Sequence, residues 1–298
     1  MSAASDFHRF DIPGAATFAL GPSDLPRLSI HTAQAQAELF LHGAHVTHFQ
    51  PASAEPVIFV SQRSHFESGK AIRGGVPICF PWFGALAGHP ELPMHGFART
   101  RAWEVESLEG SPERGVTVSL RLISDEATRA LWPHDFVARF VVEITAQLAM
   151  TLEVENTSTT PFQFEAALHS YFSVSDVRNV SVTGLENATY IDKTEGFVRK
   201  QLGAEPLRFI AETDRVFPGA TGACVIHDPG LNREIVIEKR GSATTVVWNP
   251  GAAKAAAMAD FGDDEWPRML CIETANTGDD TITLAPGAKH AMTQTVRV

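Results

Sequence analysis

The chain has 298 residues, of which 24 are Lys or Arg and 35 are Asp or Glu, so its formal net charge at pH 7 is −11. This acidic balance argues against nucleic acid as a partner, because phosphate backbones are bound through an excess of basic side chains. Apolar residues make up 44% and charged residues 20% of the chain, which excludes a wholly disordered or fibrous protein.

Cysteine usage and the N-terminal composition bear on the cellular compartment. The three cysteines, Cys79, Cys224 and Cys271, have no CxxC spacing, which argues against a disulfide framework and fits a reducing compartment. Residues 1–20 lack a basic start followed by an apolar block, and no apolar run is long enough to span a membrane. We therefore expect a cytoplasmic protein with no signal peptide and no membrane contact.

Alternation of apolar and polar residues with a period of two recurs along the chain and predicts half-buried β-strands. The clearest segments, in chain order, are 116–122, 140–144, 150–154, 235–239 and 293–298. Turn-forming residues such as Asp228-Pro229-Gly230 separate the strands at hairpin spacing. These patterns predict an all-β protein in which residues 1–298 form one large antiparallel β-sandwich domain.

Two short stretches look helical. One is 125–131, with Ser124 as its predicted N-cap, and the other is 252–261, ended by Gly262. Both are too short to build a βαβ fold, so we expect them to decorate the sandwich. The acidic run 260–265 is interpreted as a solvated turn.

The segment 72–84 has a composition that is unusual for a plain strand. Gly74 and Gly75 would let the backbone approach a ligand closely, and Trp82 and Phe83 offer flat apolar faces of the kind that pack against sugar C–H groups. Each of these residues could equally belong to an ordinary buried turn.

Two arginines accompany the glycine-rich turns. Arg73 lies in the segment 72–84, and Arg99 ends the sequence word HGFAR that begins at His95. Guanidinium groups bind phosphate or carboxylate through forked, charge-assisted hydrogen bonds, so the two suggest an anion site. The alternative is that Arg99 pairs with an acidic side chain at the surface.

Two predicted strands carry a histidine and a glutamate in apolar contexts. His169 lies in 164–172, and a histidine can exchange protons near neutral pH, although a satisfied core histidine is the alternative. Glu273 interrupts 269–276, and a buried carboxylate requires a partner or a function. The two residues are far apart in the chain, so only the fold can bring them together.

Signatures of several other enzyme classes are absent from the sequence. There is no Walker loop, no GxGxxG after a strand, no GxSxG elbow and no HExxH helix. His42, His45 and His48 would alternate between the faces of a strand, which argues against a metal site. Cys79 is interpreted as a buried filler and not as a nucleophile.

Seven sequence words together resemble the glucose-6-phosphate 1-epimerase branch of the galactose mutarotase-like superfamily. In chain order they are RGGVP from Arg73, FPWFG from Phe80, HGFAR from His95, LHSYF from Leu168, DRVF from Asp214, VWNP from Val247 and CIETA from Cys271. The resemblance implies a β-supersandwich fold, which agrees with the strand pattern.

The resemblance also implies roles for single residues. His169 corresponds to the general acid of the family and Glu273 to its general base. The positions that resemble substrate-binding residues are Arg73, Met94, His95, Arg99 and Asp214. Met94 departs from the family pattern, because related sequences often have a glutamine there.

The implied reaction is the interconversion of α and β anomers of a hexose 6-phosphate, D-glucose 6-phosphate first, through acid/base-catalysed ring opening. One acid and one base suffice, so no cofactor and no metal are required. To act as an acid at neutral pH, His169 would need a pKa raised by negative charge, from Asp214 or from the substrate.

Two alternatives remain open at this point. One is an aldose 1-epimerase acting on unphosphorylated sugars, with structural arginines. The other is a carbohydrate-binding β-sandwich without catalysis, although simple binding would not need both His169 and Glu273. The expected partner is a small-molecule sugar phosphate, and we expect a monomer.

Overall fold

The computed structural model describes residues 7–298, and nearly all of its regular structure is β-strand. The strands, in chain order, are β1 Ala16–Leu20, β2 Pro26–His31, β3 Ala35–Phe40, β4 His45–Pro51, β5 Ile78–Cys79, β6 Glu104–Ser111, β7 Gly115–Ile123, β8 Phe136–Ile144, β9 Leu148–Asn156, β10 Phe162–Phe164, β11 Ala166–Leu168, β12 Tyr171–Ser173, β13 Ser181–Thr183, β14 Thr189–Asp192, β15 Val198–Gln201, β16 Leu207–Arg208, β17 Thr213–Pro218, β18 Cys224–Asp228, β19 Arg233–Arg240, β20 Thr244–Asn249, β21 Met269–Asn276, β22 Ile282–Leu284 and β23 Lys289–Arg297.

Two large sheets dominate the described part of the chain. One has nine strands in the order β16-β13-β18-β19-β23-β9-β8-β7-β6, and the other has eight, in the order β15-β14-β17-β20-β21-β11-β5 with β12 also paired to β21. Smaller sheets are formed by β1-β2-β3-β4 and by β10-β22. The ladders between these strands are antiparallel, which confirms the predicted all-β antiparallel sandwich.

The period-two segments of the sequence lie within the strands of the nine-stranded sheet. They fall in β7, β8, β9, β19 and β23, and in β9 every second residue is buried while the residues between are partly exposed. This alternation places one side of the sheet against the core and the other toward water.

The strand β21 lies where the two large sheets face each other, and all eight of its residues are buried. On the side of the nine-stranded sheet, Gln294 of β23 donates hydrogen bonds to Ile272 O at 3.3 Å and to Thr274 Oγ1 at 3.0 Å. Successive side chains of a strand point to opposite faces, so Cys271 and Glu273 point away from this interface. The outer face of the eight-stranded sheet therefore carries the buried glutamate.

Two α-helices occur in residues 7–298, α1 Glu126–Leu131 and α2 Gly251–Ala257, and both differ in detail from the prediction. The N-cap of α1 is Asp125, which accepts a hydrogen bond from Thr128 N at 2.7 Å, so the prediction of Ser124 as the cap is wrong. Aspartate accepts from the first-turn amides as well as serine does, and a capping box with Thr128 is formed here.

The second helix is shorter than predicted, because the chain leaves it at Met258 with extended backbone angles. Phe261 then packs, fully buried, in a cluster with Tyr171 and Trp248. Burial of an aromatic ring outweighs the weak stability of a short alanine-rich helix. Short 3-10 helices are His8–Phe10, Pro22–Asp24, Ala98–Thr100, Lys193–Glu195, Trp266–Arg268 and Gly278–Asp280.

None of the helices in residues 7–298 has the length and apolar character needed to cross a bilayer. The segment 1–20, for which we expect no signal peptide, lies partly outside the described residues, since these begin at Phe7.

Gly96 provides a test of the packing around β5 and the loop after it. Its φ is 71°, and a Cβ added there would lie 2.0 Å from the carbonyl oxygen of Phe80. We expect Gly96→Ala to lower the free energy of unfolding by at least about 3 kcal/mol, from left-handed strain plus the backbone clash. Urea denaturation followed by circular dichroism measures the loss.

Gly69 is the matched control, with a φ of 81° and no atom within 4 Å of the added Cβ. Gly69→Ala should lose only the strain contribution, about 1 kcal/mol. Equal losses for the two variants would contradict the close approach of Gly96 to Phe80.

Candidate active site

The register of the eight-stranded sheet brings two rows of side chains onto its outer face. One row, across β17, β20, β21 and β12, is Asp214, Trp248, Cys271 and Tyr171. The next row, two residues along each strand, is Val216, Val246 and Glu273. Paired residues of antiparallel strands share a face, so the aspartate and the glutamate point to the same side of the sheet.

His169 lies just after β11 and reaches the same face. Its backbone N donates a hydrogen bond to Pro77 O at 3.0 Å, and its ring stacks on Tyr171 with centroids 5.0 Å apart. This places His169 Nε2 at 3.3 Å from Glu273 Oε1. Only 11% of the histidine side chain and 1% of the glutamate side chain are exposed. The fold thus brings together two residues that are far apart in the sequence.

A cavity of about 330 Å³ lies over this pair. All seven residues singled out in the sequence line it, namely Arg73, Met94, His95, Arg99, His169, Asp214 and Glu273. Seven further residues complete the lining, namely Phe83, Tyr171, Lys193, Val246, Trp248, Lys254 and Met258. Met94, at the mouth, is half exposed.

Burial shifts the proton equilibria of the histidine and the glutamate in opposite directions. Desolvation, assisted by the charges of His95 and Arg99, lowers the pKa of His169 well below its ordinary value. Desolvation raises the pKa of Glu273 well above its ordinary value, with Lys193 opposing the shift. The expectation of a raised His169 pKa is therefore wrong for the free protein, because burial and the charges of Arg99 and Arg73 lower it.

The two pKa shifts concern side chains that contact each other through His169 Nε2 and Glu273 Oε1. We treat them as a pair that shares one proton. In the free protein desolvation disfavours the charged form of both side chains, and so favours a neutral Glu273 carboxyl group beside a neutral His169 ring. Glu273 Oε2 and His169 Nδ1 are both buried and have no hydrogen-bond partner among residues 7–298. Unpaired buried polar atoms cost free energy, so both atoms have unused hydrogen-bonding capacity.

His95 is held in a single tautomer by the backbone. Its Nδ1 accepts a hydrogen bond from Gly84 N at 3.2 Å, while its own backbone N donates to Gly84 O at 2.7 Å. Burial, with the charge of Arg99, lowers the pKa of His95 to about 3. The neutral ring therefore carries its proton on Nε2, as a hydrogen-bond donor for a ligand in the cavity.

The two arginines of the cavity differ in the hydrogen bonds that they already donate within the protein. Arg73 donates to Asp260 Oδ2 from Nε at 3.2 Å and from Nη2 at 3.1 Å, and its Nη1 donates to Tyr171 Oη at 3.2 Å. Since a guanidinium has five N–H groups, two remain for a ligand. Arg99 donates to the carbonyl of Met94 at 2.7 Å, and no carboxylate in the described chain pairs with it. Arg99 is thus the less neutralised cation.

Two functional candidates are missing from the sequence prediction. Lys193 lies in no recognisable sequence word, yet its Nζ is 3.3 Å from Asp214 Oδ1. Asp260 belongs to the acidic run interpreted as a solvated turn. Asp263 and Asp264 of this run are exposed, but Asp260 binds Arg73, and Glu265 accepts a hydrogen bond from the Ser61 hydroxyl at 2.6 Å. Only the tertiary structure reveals these partners.

Most of the segment 72–84 serves packing and does not contact the cavity. Trp82 is buried and donates from Nε1 to Pro93 O at 2.9 Å. A Cβ at Gly74 would lie 2.5 Å from Val60 Cα, and one at Gly75 would lie 2.3 Å from a ring nitrogen of His45. Gly74 and Gly75 therefore allow other parts of the protein to approach the backbone closely, and not a ligand as expected.

The remaining cysteine and histidine predictions concern residues away from the cavity. Cys79 is fully buried, and burial raises the pKa of its thiol to about 12, which confirms a buried filler. His42 Nε2 and His45 Nε2 lie 2.6 Å and 2.8 Å from two different carbonyl oxygens, those of Lys70 and Gly74. In the described part of the chain no group of three or more His, Cys, Asp or Glu residues has metal-binding geometry.

Comparison with known proteins places this fold and cavity in a family. The family model for aldose 1-epimerase matches residues 26–297. The chain belongs to the aldose 1-epimerase family. This membership confirms the resemblance inferred from the seven sequence words.

Curated relatives of this aldose 1-epimerase family member are similar over most of their length. A Salmonella typhimurium protein, provisionally named glucose-6-phosphate 1-epimerase, is 39% identical over 253 residues, which are 84% of this chain and 83% of that protein. An Escherichia coli K12 protein with the same provisional name is 35% identical over 277 residues, 92% of this chain and 91% of that protein.

Solved structures show the same fold. The crystal structure of a provisionally identified mutarotase from Salmonella typhimurium has a TM-score of 0.90 at 33% identity and covers 96% of this chain and 94% of that chain. Galactose 1-epimerase from Lactobacillus acidophilus has a TM-score of 0.74 at 13% identity, covering 95% and 98% of the two chains. The second likeness is one of fold alone.

The His95 geometry makes a spectroscopic prediction. Nitrogen-15 NMR of the free protein should show the His95 ring neutral, with the proton on Nε2, from neutral pH down to about 3, because burial opposes its charge. Comparison with the spectrum of His95→Gln assigns the signals. Titration of His95 near the ordinary value of about 6.5, or a proton on Nδ1, would contradict the described geometry.

Proposed function

We propose that this protein interconverts the α and β anomers of a hexose 6-phosphate, D-glucose 6-phosphate first, by acid/base-catalysed opening and closure of the sugar ring. The observation that carries the proposal is the buried His169–Glu273 pair, 3.3 Å apart, beneath a cavity lined by Arg73, Arg99 and Lys193. Membership of the aldose 1-epimerase family supports the reaction, and the names of the curated relatives support the substrate.

The charges of the cavity favour a phosphorylated sugar over a neutral one. Arginine and lysine side chains form charge-assisted hydrogen bonds with phosphate oxygens, and Arg99 has no carboxylate partner among residues 7–298 to compete for it. Asp214 and His95 provide an acceptor and a donor for sugar hydroxyls. A phosphate held at one end of the cavity would fix the position of C1 relative to Glu273 and His169.

The reaction requires a proton to leave the C1 hydroxyl while another proton reaches the ring oxygen O5. We assign the first task to the Glu273 carboxylate and the second to protonated His169. Transfer of the shared proton across the 3.3 Å contact, from Glu273 to His169, generates both reactive forms at once. Glu273 Oε2, buried and without a partner in the described chain, is the oxygen free to accept the C1 hydroxyl proton.

Ring opening converts C1 into an aldehyde, and rotation about C1–C2 exposes its opposite face. For closure, neutral His169 takes the proton from the O5 hydroxyl and Glu273 returns one to the aldehyde oxygen, so the pair ends with the protons it had at the start. Neither oxidation nor a covalent enzyme intermediate occurs in this sequence of steps.

The expectations on location and assembly remain proposals. We propose a cytoplasmic monomer of one domain over residues 1–298, with no nucleic acid or membrane partner. The cysteines Cys79, Cys224 and Cys271 are free and buried, which suits a reducing compartment.

The acid and base assignments are tested by measuring anomer exchange of D-glucose 6-phosphate and of D-glucose with NMR saturation transfer. We expect His169→Asn and Glu273→Gln each to slow the exchange by about 10²–10⁴, since each removes one of the two proton transfers. Thermal unfolding verifies that both variants are folded.

The surface pair His89 and Glu91, with nitrogen and oxygen 3.1 Å apart and both side chains exposed, offers a matched control. His89→Asn and Glu91→Gln remove the same groups outside the cavity and should leave the exchange rate within about twofold of the wild type. Near wild-type turnover by folded His169→Asn or Glu273→Gln would refute the assignment.

The pH dependence of kcat/KM follows from the directions of the two pKa shifts. Activity should fall at low pH, where the pair gains a second proton, and at high pH, where it loses its only proton. Residual exchange in His169→Gln needs only ionised Glu273, so its rate should rise with pH through the raised Glu273 pKa. Residual exchange in Glu273→Gln needs protonated His169, so its rate should fall as pH rises through the lowered His169 pKa.

Using D-glucose as substrate removes the ionisation of the phosphate from these profiles. An alkaline decline that persists in a measurably active His169→Gln variant would show that another group delivers the proton to O5. His95 would then be the first residue to replace.

A further inference from the structure

Lys193 is a basic residue of the cavity that pairs with a carboxylate of the same cavity. It begins the 3-10 helix Lys193–Glu195 directly after β14. The side chain of Asp192 caps this turn by accepting hydrogen bonds from the backbone N of Thr194 at 3.1 Å and from its hydroxyl at 2.6 Å. The backbone at Lys193 is thereby fixed, while the long side chain reaches into the cavity.

The partner of Lys193 is a buried carboxylate. Lys193 Nζ lies 3.3 Å from Asp214 Oδ1, and only 14% of the Asp214 side chain is exposed. In the described chain no other cation lies within ion-pair distance of Asp214. Burial raises the pKa of Asp214, and the charge of Lys193 opposes that shift. The lysine thus compensates a carboxylate that would otherwise be buried and unpaired.

The other cations of the cavity are held differently. Arg73 pairs with Asp260, and Lys254 pairs with Glu212 at 2.7 Å, and neither carboxylate lines the cavity. Lys193 therefore differs from both, because its partner is itself a group that we assign to the sugar. Lys193 occupies Oδ1 of Asp214, so a sugar hydroxyl that approaches this oxygen competes with the ammonium group.

The surroundings of Lys193 leave room for its ammonium group to move. A second cavity of about 430 Å³ adjoins the first and shares Lys193, Phe83 and Met94 with it. The Phe83 ring centroid lies 5.5 Å from Lys193 Nζ, which gives the cation a favourable aromatic neighbour. An ammonium on a flexible four-carbon stem can change partners where a forked guanidinium could not.

We propose that Lys193 is a specificity-determining residue that exchanges Asp214 for the phosphate of the substrate, so that phosphate binding releases Asp214 to accept hydrogen bonds from the sugar hydroxyls. This inference rests on the proposed function. With a neutral sugar, Lys193 stays on Asp214 and competes with the hydroxyls. With a phosphorylated sugar, both the phosphate and the hydroxyls gain a partner. Recognition of the phosphate and recognition of the hydroxyls are then coupled through one side chain.

The first test measures a selectivity ratio, kcat/KM for D-glucose 6-phosphate divided by kcat/KM for D-glucose. Lys193→Met should lower this ratio at least tenfold, as expected for loss of one charge-assisted hydrogen bond of about 1.5–3 kcal/mol that only the phosphorylated sugar makes. Lys193→Arg, which keeps the charge, should lower the ratio less than Lys193→Met does.

Lys254→Met is the matched control, because it removes the same charge at the edge of the same cavity. Its ratio should stay within about threefold of the wild type, since Lys254 is already paired with Glu212 at the surface. An unchanged ratio in Lys193→Met, an equal loss for both sugars, or an equal effect of Lys254→Met would each overturn the assignment of Lys193. A wild-type ratio near one would instead overturn the proposed function.

A second test uses the wild-type protein and so does not depend on a variant that folds. D-Xylose lacks C6, which leaves room in the cavity for inorganic phosphate. If phosphate releases Asp214, inorganic phosphate should lower the KM for D-xylose anomer exchange at least threefold. Lys193→Met should show no such activation. Purely competitive inhibition by phosphate, or no effect on the wild type, would contradict the exchange of partners.

Discussion

The burial of Glu273 is the constraint on which the rest of the site depends. Both faces of β21 are covered, so the strand places a carboxylate where water is largely excluded. A buried charge costs free energy unless a partner stabilises it. His169 is that partner, with its Nε2 3.3 Å from Glu273 Oε1. The same desolvation moves the pKa of the carboxyl group up and that of the imidazole down, and so disfavours the charged form of both groups.

Charge is distributed unevenly between the surface and the cavity. The protein as a whole carries a net charge of −11, yet three of its basic side chains, Arg73, Arg99 and Lys193, converge on one cavity. Salt screens the repulsion from distant surface carboxylates within about 10 Å, whereas interactions inside a partly buried cavity are screened much less. The basic side chains of the cavity therefore attract an anionic ligand, although the net charge of the protein is negative.

The sequence predicts the fold and part of the candidate site, for different physical reasons. Strand alternation is a local property, so the order of apolar and polar residues suffices to indicate the segments in β7, β8, β9, β19 and β23. Sequence words single out His169 and Glu273, but their contact arises from sheet register. Lys193 and Asp260 are not predicted, because the role of each depends on a partner that is distant in the sequence. Lys193 pairs with Asp214, and Asp260 pairs with Arg73. The pKa shifts of His169 and Glu273 are not predicted either, because they depend on burial, which a sequence motif does not indicate.

The ion pair between Arg73 and Asp260 joins two loops that are far apart in the sequence. The proposed acid, His169, lies between them in the sequence, and the proposed base, Glu273, lies beyond both. Contacts of such large sequence separation form late, because loop closure must precede them, and they slow the folding of β-rich chains. No fragment that ends before β21 contains Glu273, the proposed base. Recovery of catalysis during refolding would therefore report completion of the native tertiary structure, whereas recovery of β-sheet circular dichroism would report only its local elements.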